Sequence, residues 1–137
     1  MKETQENLNA PEPEKRFSFE EAKKRDMVNS MYFNPEVNVP YVLTFKDAYN
    51  TERDMPVWEK GVKTEETERK VVLVLKIETI NNEKVSSDQE WSVTNPRWRE
   101  KFEPYGVQDQ LTKMKFQVKV KLNGNKKELD LAAIGPK

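Results

Sequence analysis

The chain has 137 residues, which fits one domain plus a tail and allows a buried core without disulfides or metals. It contains no cysteine and no histidine, which excludes disulfide frameworks, thiolate metal sites and the usual imidazole base of enzymes. The 24 basic and 24 acidic residues balance, whereas nucleic-acid-binding domains are commonly basic. We expect a protein that is not an enzyme and that needs no cofactor or metal.

The sequence also predicts where the protein works. No apolar run approaches the roughly 20 residues that a membrane helix needs. The segment from Met1 to Glu14 is polar and lacks the apolar region of a secretory signal. We therefore expect a cytoplasmic protein with no membrane contact.

The N-terminal part predicts a tail followed by a helix. Residues 1–16 contain two prolines and four glutamates and almost nothing apolar, so burial cannot offset the entropy of ordering and we expect disorder. Ser18, followed three residues later by Glu21, is a capping-box pattern that predicts a helix from Phe19 to about Met31. The predicted regions are a disordered tail (1–16), an N-terminal helix (17–34) and a β domain (35–137).

Apolar residues at alternate positions predict five strands in the rest of the chain. Asn81-Asn82 marks a tight turn, and Asn123-Gly124 is a strong hairpin signal. A polar segment over residues 50–67 predicts a long loop between the first two strands. The first predicted strand begins at Pro40. The other four cover residues 71–80, 84–93 with a bulge at Ser87-Asp88, 113–122 and 126–134.

A short helix is predicted between the third and fourth strands. Asn95 is a good N-cap, Pro96 suits the first helical position, and Pro104 with Gly106 would end the helix. The resulting order is β-β-β-α-β-β, which predicts a mainly β, five-stranded OB-like barrel with an N-terminal helix. An antiparallel β-sandwich or open sheet is the alternative, because strand number and spacing do not separate the two.

This order of elements resembles small OB-fold single-stranded DNA-binding proteins of phages, plasmids and archaea. The stretch that carries the resemblance runs from Lys70 to Ile134, where Trp91-Ser92-Val93-Thr94-Asn95-Pro96-Arg97-Trp98 leads into the helix. The likeness is one of general pattern and covers residues 40–134. This resemblance implies a single-stranded DNA-binding protein that acts in replication or recombination or in the life cycle of a virus.

A row of lysines lies on one face of the fourth strand. Residues 111–137 contain seven lysines against Glu128 and Asp130, a net charge of +5, which leaves a net of −5 on residues 1–110. Same-face residues on a strand are about 6.6 Å apart, close to the phosphate spacing of an extended single strand. The row therefore fits a nucleic-acid backbone, although lysines on an exposed strand also prevent edge-to-edge aggregation.

Aromatic residues near basic ones are the second feature, because bases stack on aromatic rings while cations contact phosphates. Trp91 is the better stacking candidate, since Trp98 and Phe102 share one helix face and more simply plug the end of the barrel. The candidate stacking or pocket residues are Tyr41, Phe45, Trp58 and Trp91. The candidate phosphate contacts are Lys76, Lys84, Arg97, Lys113, Lys115, Lys119 and Lys121.

Two functions follow from these features. The first is sequence-tolerant binding of single-stranded nucleic acid. Lysines and exposed aromatic rings on one concave face would favour this function. The second is a protein-interaction or structural module, in which residues 1–34 fold onto a protein partner and the lysines only solvate the surface. An exposed uncharged apolar patch would favour the second function.

Overall fold

The fold is mainly β, with six antiparallel strands and two helices in the residues that the computed structural model describes, namely 14, 16–86, 88–107 and 109–137. The predicted tail lies almost wholly outside this range. No helix within it is long and apolar enough to cross a membrane. The elements are α1 (Phe19–Asn29), β1 (Pro40–Glu59), β2 (Val62–Ile80), β3 (Glu83–Lys84), β4 (Glu90–Val93), α2 (Pro96–Val107), β5 (Met114–Asn123) and β6 (Lys126–Pro136).

The strands form one sheet in the order β3-β2-β1-β5-β6, and β4 pairs with β2 beside β3. β2 pairs with β4 through Leu75 and Trp91, and β1 pairs with β5 through Leu43 and Phe116. Within the described ranges, β4 and β6 do not pair with each other, so the sheet is not closed into a barrel. This arrangement favours the alternative of a sandwich or open sheet over the closed barrel that the element order predicts.

A chain of aromatic rings joins distant parts of the sheet into one core. The ring of Trp91 on β4 lies 5.6 Å from Phe102 on α2. Phe102 lies 6.5 Å from Phe45 on β1, which lies 5.7 Å from Phe116 on β5. All four side chains are buried. Edge-to-face contacts such as the first two add stabilisation beyond the apolar area that the rings bury.

Helix α1 begins as the sequence predicts, because the Ser18 hydroxyl accepts a hydrogen bond from the Glu21 N–H at 3.1 Å. The helix ends at Asn29 rather than Met31 and buries none of its own residues. The segment after it adds to the edge of β4. The Phe33 N–H donates to the Glu90 carbonyl at 2.8 Å, and the Glu90 N–H donates to the Met31 carbonyl at 3.0 Å.

The predicted loop over residues 50–67 is wrong, because this segment continues β1 and β2 as a hairpin. We call residues 49–70 the β1–β2 arm. Its strands stay in register at Arg53 and Lys70 and reverse at Lys60-Gly61, where both φ angles are positive at 50° and 79°. A two-residue turn with both φ angles positive matches the right-handed twist of the flanking strands, which explains how a polar, charge-rich segment forms a ribbon.

Three predicted boundary signals match the structure closely. Asn81 and Asn82 have φ angles of 51° and 67°, which confirms the tight turn after β2. The Asn95 side chain accepts a hydrogen bond from the Arg97 N–H at 2.9 Å, which confirms the cap of α2. The β5–β6 hairpin also forms, although the pairing of Asn123 with Lys126 makes Gly124-Asn125 the turn. Helix α2 runs through Pro104 and ends at Val107, later than predicted.

Candidate nucleic-acid interface

Three of the four predicted stacking residues lie in the core. Phe45 is fully buried, and Tyr41 and Trp91 are 6% and 4% exposed. The Tyr41 hydroxyl accepts a hydrogen bond from the Glu36 N–H at 3.1 Å. Phe33 packs between Tyr41 and Trp91, with ring centroids 5.1 and 5.3 Å away. Because their faces are covered by protein, these three rings cannot stack on a base in this structure, and the prediction that they do so is wrong.

The fourth predicted stacking residue, Trp58, is 61% exposed near the tip of the β1–β2 arm. It pairs with Lys63 across the arm, and Lys60 lies in the turn two residues away. Lys60 and Lys63 are both exposed. An exposed indole beside two cations has the composition of a single-strand contact, since the ring offers a stacking face and the cations can meet phosphates.

The lysine row on β5 is partly neutralised by neighbouring side chains. Lys121 forms an ion pair of 3.2 Å with Asp130 on β6, and Lys113 lies 3.7 Å from Asp109. Asp130 is also the cross-strand partner of Lys119. Lys115 donates a 3.5 Å hydrogen bond to the side chain of Asn82. The row is therefore a mixed-charge surface and not the continuous cationic track that the sequence of β5 alone indicates.

The other predicted phosphate contacts differ in accessibility. Lys84 is exposed on the short strand β3, and Arg97 is exposed in the first turn of α2. Lys76 is half-buried on β2, and its ammonium lies 3.6 Å from the Glu90 carboxylate. Arg97 and Lys84 are thus free to meet solvent, whereas Lys76 already faces an anion of its own chain.

The Glu90 carboxylate contacts polar side chains from three strands, Arg53 on β1, Lys76 on β2 and Ser92 on β4. Its carboxylate accepts hydrogen bonds from Arg53 on the β1–β2 arm at 3.1 Å and from the Ser92 hydroxyl at 3.0 Å. Burial raises the pKa of Glu90, but the Ser92 hydrogen bond, the Arg53 guanidinium and the Lys76 ammonium outweigh it, and the pKa is lowered overall. Glu90 is therefore an anion at neutral pH, although its side chain is only 12% exposed.

The open side of the sheet contains a cleft of about 860 Å³ between β4 and α2 on one side and β6 on the other. Its lining includes four basic residues and a single carboxylate, Glu128, whose Oε1 accepts a hydrogen bond from the Asn123 side chain at 2.9 Å. The Lys101 ammonium donates to the Leu129 carbonyl and so ties α2 to β6. The four basic residues are Arg97, Lys101, Lys126 and Lys127.

This cleft combines residues that sequence reasoning treated separately. Of the predicted set it contains Arg97 and Trp91, whereas Trp58 and the lysine row are not among its lining residues. Trp98 lines it and is half-buried, so it is both core and cleft wall. Lys126 and Lys127 were missed as candidates. Their position directly after the Asn123-Gly124 turn could have indicated them. They were overlooked because they are adjacent in sequence and do not belong to the row of alternating lysines.

Exposed apolar side chains also occur around α1. Phe19 is 91% exposed and Phe17 is 51% exposed at its start, and Met31 and Tyr32 are exposed just after its end. The Arg25 guanidinium lies 4.8 Å from the Phe17 ring centroid. These residues are the observation that favours a protein partner for residues 1–34.

Comparisons with protein-family models, with curated proteins and with solved structures find no match to this chain.

Proposed function

We propose that this protein binds single-stranded nucleic acid, most simply single-stranded DNA, without strong sequence preference. The cleft between β4, α2 and β6 would hold the strand, and its cationic rim is the observation that carries the proposal. Arg97, Lys126 and Lys127 line one depression with a single carboxylate among the lining residues. Cations concentrated in a groove attract a polyanion and release its counterions on binding.

Aromatic contacts complete the proposed interface. Trp98 forms part of the cleft wall, and Trp58 presents an exposed ring near the tip of the β1–β2 arm. Stacking of one base on an aromatic side chain contributes about 1–3 kcal/mol. In this proposal the cleft holds the backbone and first bases, and the arm adds a stacking contact next to Lys60 and Lys63.

The finer description of the fold as an OB-like barrel is part of the same proposal. The path β3-β2-β1-β5-β6 and the helix between β4 and β5 support an OB-like order of strands in a sheet that stays open between β4 and β6 in the described residues. OB-folds are partly open barrels that bind oligonucleotides with the loop between the first two strands and the loop of the last hairpin. The β1–β2 arm and the β5–β6 turn next to Lys126 occupy those two places in the chain.

The test is a titration of the full chain with a labelled, unstructured oligonucleotide at about 50 and 200 mM salt. Each phosphate contact on a single strand changes the affinity by about 2.6-fold over this range. We expect Lys126→Ala/Lys127→Ala to weaken binding and to reduce the salt dependence by two contacts, about sevenfold over the range. Two control variants each remove two positive charges elsewhere. Lys119→Ala/Lys121→Ala removes them from the lysine row, and Arg16→Ala/Lys23→Ala removes them from exposed positions before and within α1.

The two other variants decide where the strand lies. If the lysine-row variant loses affinity and the cleft variant does not, the strand follows β5 and the cleft is not the interface. Equal losses in all three variants would show only a general charge effect. If neither DNA nor RNA binds the unmodified chain at 50 mM salt, nucleic-acid binding itself is refuted.

A protein-interaction module remains the second candidate, on the observation that Phe17, Phe19, Met31 and Tyr32 are exposed around α1. In that function residues 1–34 contact a protein partner. Phe19→Ser would then abolish the association with the partner and leave oligonucleotide binding unchanged. The opposite pattern, a loss of oligonucleotide binding with Phe19→Ser, would place α1 at the nucleic-acid interface instead.

A further inference from the structure

Two hydrogen-bond donors and one ammonium group, from three strands, converge on the Glu90 carboxylate. Leu75 and Trp91 pair in the core, so their neighbours Lys76, Glu90 and Ser92 lie on the opposite face of the sheet. Arg53 reaches the same carboxylate from the β1–β2 arm. We propose that Arg53, Lys76 and Ser92 form a phosphate-binding site that Glu90 fills with its own carboxylate while no ligand is bound.

The donors suit a phosphate group as well as they suit a carboxylate. Arg53 and Ser92 both donate to Glu90 Oε2, at 3.1 and 3.0 Å, and the Lys76 ammonium lies 3.6 Å from Oε1. Guanidinium, ammonium and hydroxyl donors placed around one point are a common composition of phosphate sites. Without the Glu90 carboxylate, the cluster would carry two positive charges and one neutral donor, which matches a phosphodiester or an inorganic phosphate.

Accessibility allows the exchange. The side chains of Arg53 and Lys76 are 36% and 27% exposed, whereas that of Glu90 is 12% exposed. A phosphate can therefore approach both cations from solvent while the carboxylate lies beneath them. Glu90 is charged at neutral pH because Ser92 and its cationic neighbours lower its pKa despite burial. It thus competes with the incoming anion as an ion.

Part of the site adjoins the proposed nucleic-acid cleft. Glu90 and Ser92 line a second depression of about 510 Å³, whose wall also includes Trp98 and Lys127 of the first. Arg53 and Lys76 are not among the lining residues of either depression, so a strand would have to leave the cleft over β4 to bring a phosphate to them. For its biological ligand, a phosphodiester of nucleic acid, this inference rests on the proposed function, whereas the anion site itself does not.

The decisive experiment measures binding of inorganic phosphate by thermal unfolding, with chloride at matched ionic strength as reference. Glu90→Gln keeps the shape of the side chain and removes the competing charge. We expect it to bind phosphate about tenfold tighter than the unmodified chain or better, because an anion within hydrogen-bonding distance of the site is gone. Asp54→Asn is the matched control, since it removes a carboxylate from the same arm and releases Arg69 from a 3.3 Å ion pair.

Two further variants keep the test decisive. Arg53→Gln in the Glu90→Gln background removes one cation and should abolish the gain. If Glu90→Gln does not fold, Glu90→Asp withdraws the carboxylate from Arg53 and should give a smaller gain over Asp54→Asn. Equal phosphate effects in the unmodified chain, the Glu90 variant and Asp54→Asn would overturn the proposal, as would no effect in any of them.

Oligonucleotide binding separates this inference from the proposed function. If both hold, the slope of log affinity against log salt becomes more negative by about 0.7 in Glu90→Gln, the value for one phosphate contact on a single strand. Phosphate binding by Glu90→Gln without any oligonucleotide binding would support the anion site and refute the proposed function. Oligonucleotide binding with an unchanged slope and no phosphate effect would support the function and refute the anion site.

Discussion

Alanine substitution at Trp91 is expected to lower the stability of the fold, whereas alanine substitution at Trp58 is expected to weaken ligand binding. Trp91 is 4% exposed and lies in edge-to-face contact with Phe33 and Phe102, at 5.3 and 5.6 Å. Removing a buried indole of this kind costs about 3–5 kcal/mol, because apolar burial is lost and a cavity remains. Trp58 is 61% exposed, and its replacement should change the free energy of unfolding by about 0.5 kcal/mol or less.

Urea unfolding measures the difference directly. With a slope of about 1.5 kcal/mol/M, Trp91→Ala should lower the midpoint by about 2–3 M and Trp58→Ala by about 0.3 M or less. Trp91→Phe retains a ring in the core and should cost less than about 1.5 kcal/mol. In oligonucleotide titrations the order reverses, since loss of one stacking contact at Trp58 weakens binding by about 1–3 kcal/mol.

The reasoning is refuted if Trp91→Ala unfolds at nearly the same urea concentration as the unmodified chain. That result would mean that the Trp91 ring is not part of the core, and it would restore Trp91 as a stacking candidate. A large loss of stability in Trp58→Ala would instead show that the β1–β2 arm folds back on its own tryptophan. Trp91→Phe, tested for oligonucleotide binding, separates a loss of ligand contact from a loss of fold.

Three further predictions concern single side chains. The lowered pKa of Glu90 stabilises the fold above about pH 4.5, the ordinary pKa of the group, and this stabilisation is lost as pH falls through the lower pKa of the folded state. When the free energy of unfolding is measured against pH, the advantage of the unmodified chain over Glu90→Gln should disappear below pH 4.5. A difference that stays constant with pH would contradict this prediction. Ser18→Ala removes the cap of α1 and should cost about 0.5–2 kcal/mol, seen as faster amide exchange in α1 but not in α2. Gly61→Ala forces a side chain into a backbone with φ of 79° and should destabilise the arm by about 1 kcal/mol, seen as faster exchange in residues 49–70 with the core unaffected.

Local signals predicted the starts of both helices and the turn after β2, because each depends on residues close in sequence. Ser18 caps α1 and Asn95 caps α2 through hydrogen bonds within three residues, and Asn81-Asn82 reverses the chain after β2 through two positive φ angles. The β5–β6 hairpin follows from strict alternation over ten residues. Closure of the sheet depends instead on whether β4 meets β6, a pairing between segments with no local contact, and the element order alone predicts it wrongly.

The β1–β2 arm was missed because its composition hides its period. Acidic and basic residues fill both faces, so the segment has the polarity of a loop. Thr51, Arg53, Met55 and Val57 are nevertheless half-buried at every second position, while Glu52 and Asp54 between them are exposed. The period of two therefore appears in the burial of the folded β1 side of the arm and not in the polarity of its sequence, and Gly61 after Lys60 marks the reversal.

Trp91 was wrongly predicted to stack on a base, although its place in the alternation of β4 indicated burial. Glu90, Trp91, Ser92 and Val93 alternate between polar and apolar, which already places Trp91 on the apolar face. Nearness in sequence to Arg97, Arg99 and Lys101 does not decide on which face of β4 the Trp91 ring lies. The ring that covers Trp91, Phe33, comes from the segment after α1, so no local pattern indicates that contact. Residues chosen as stacking candidates from a strand should therefore first be assigned to a face.

The distribution of charge in the C-terminal part moves the expected interface from β5 to the β5–β6 turn. Both carboxylates of residues 111–137 lie opposite the lysine row, with Asp130 across from Lys119 and Glu128 across from Lys121. A lysine every second residue on one strand therefore says little about the potential of the face, because the neighbouring strand supplies the compensating charges. Lys126 and Lys127 begin β6 at the rim of a cleft whose lining has one carboxylate. Lys126 and Lys127 place two of the seven positive charges at a cleft that Arg97 and Lys101 also line, and this is why a strand of nucleic acid is expected there.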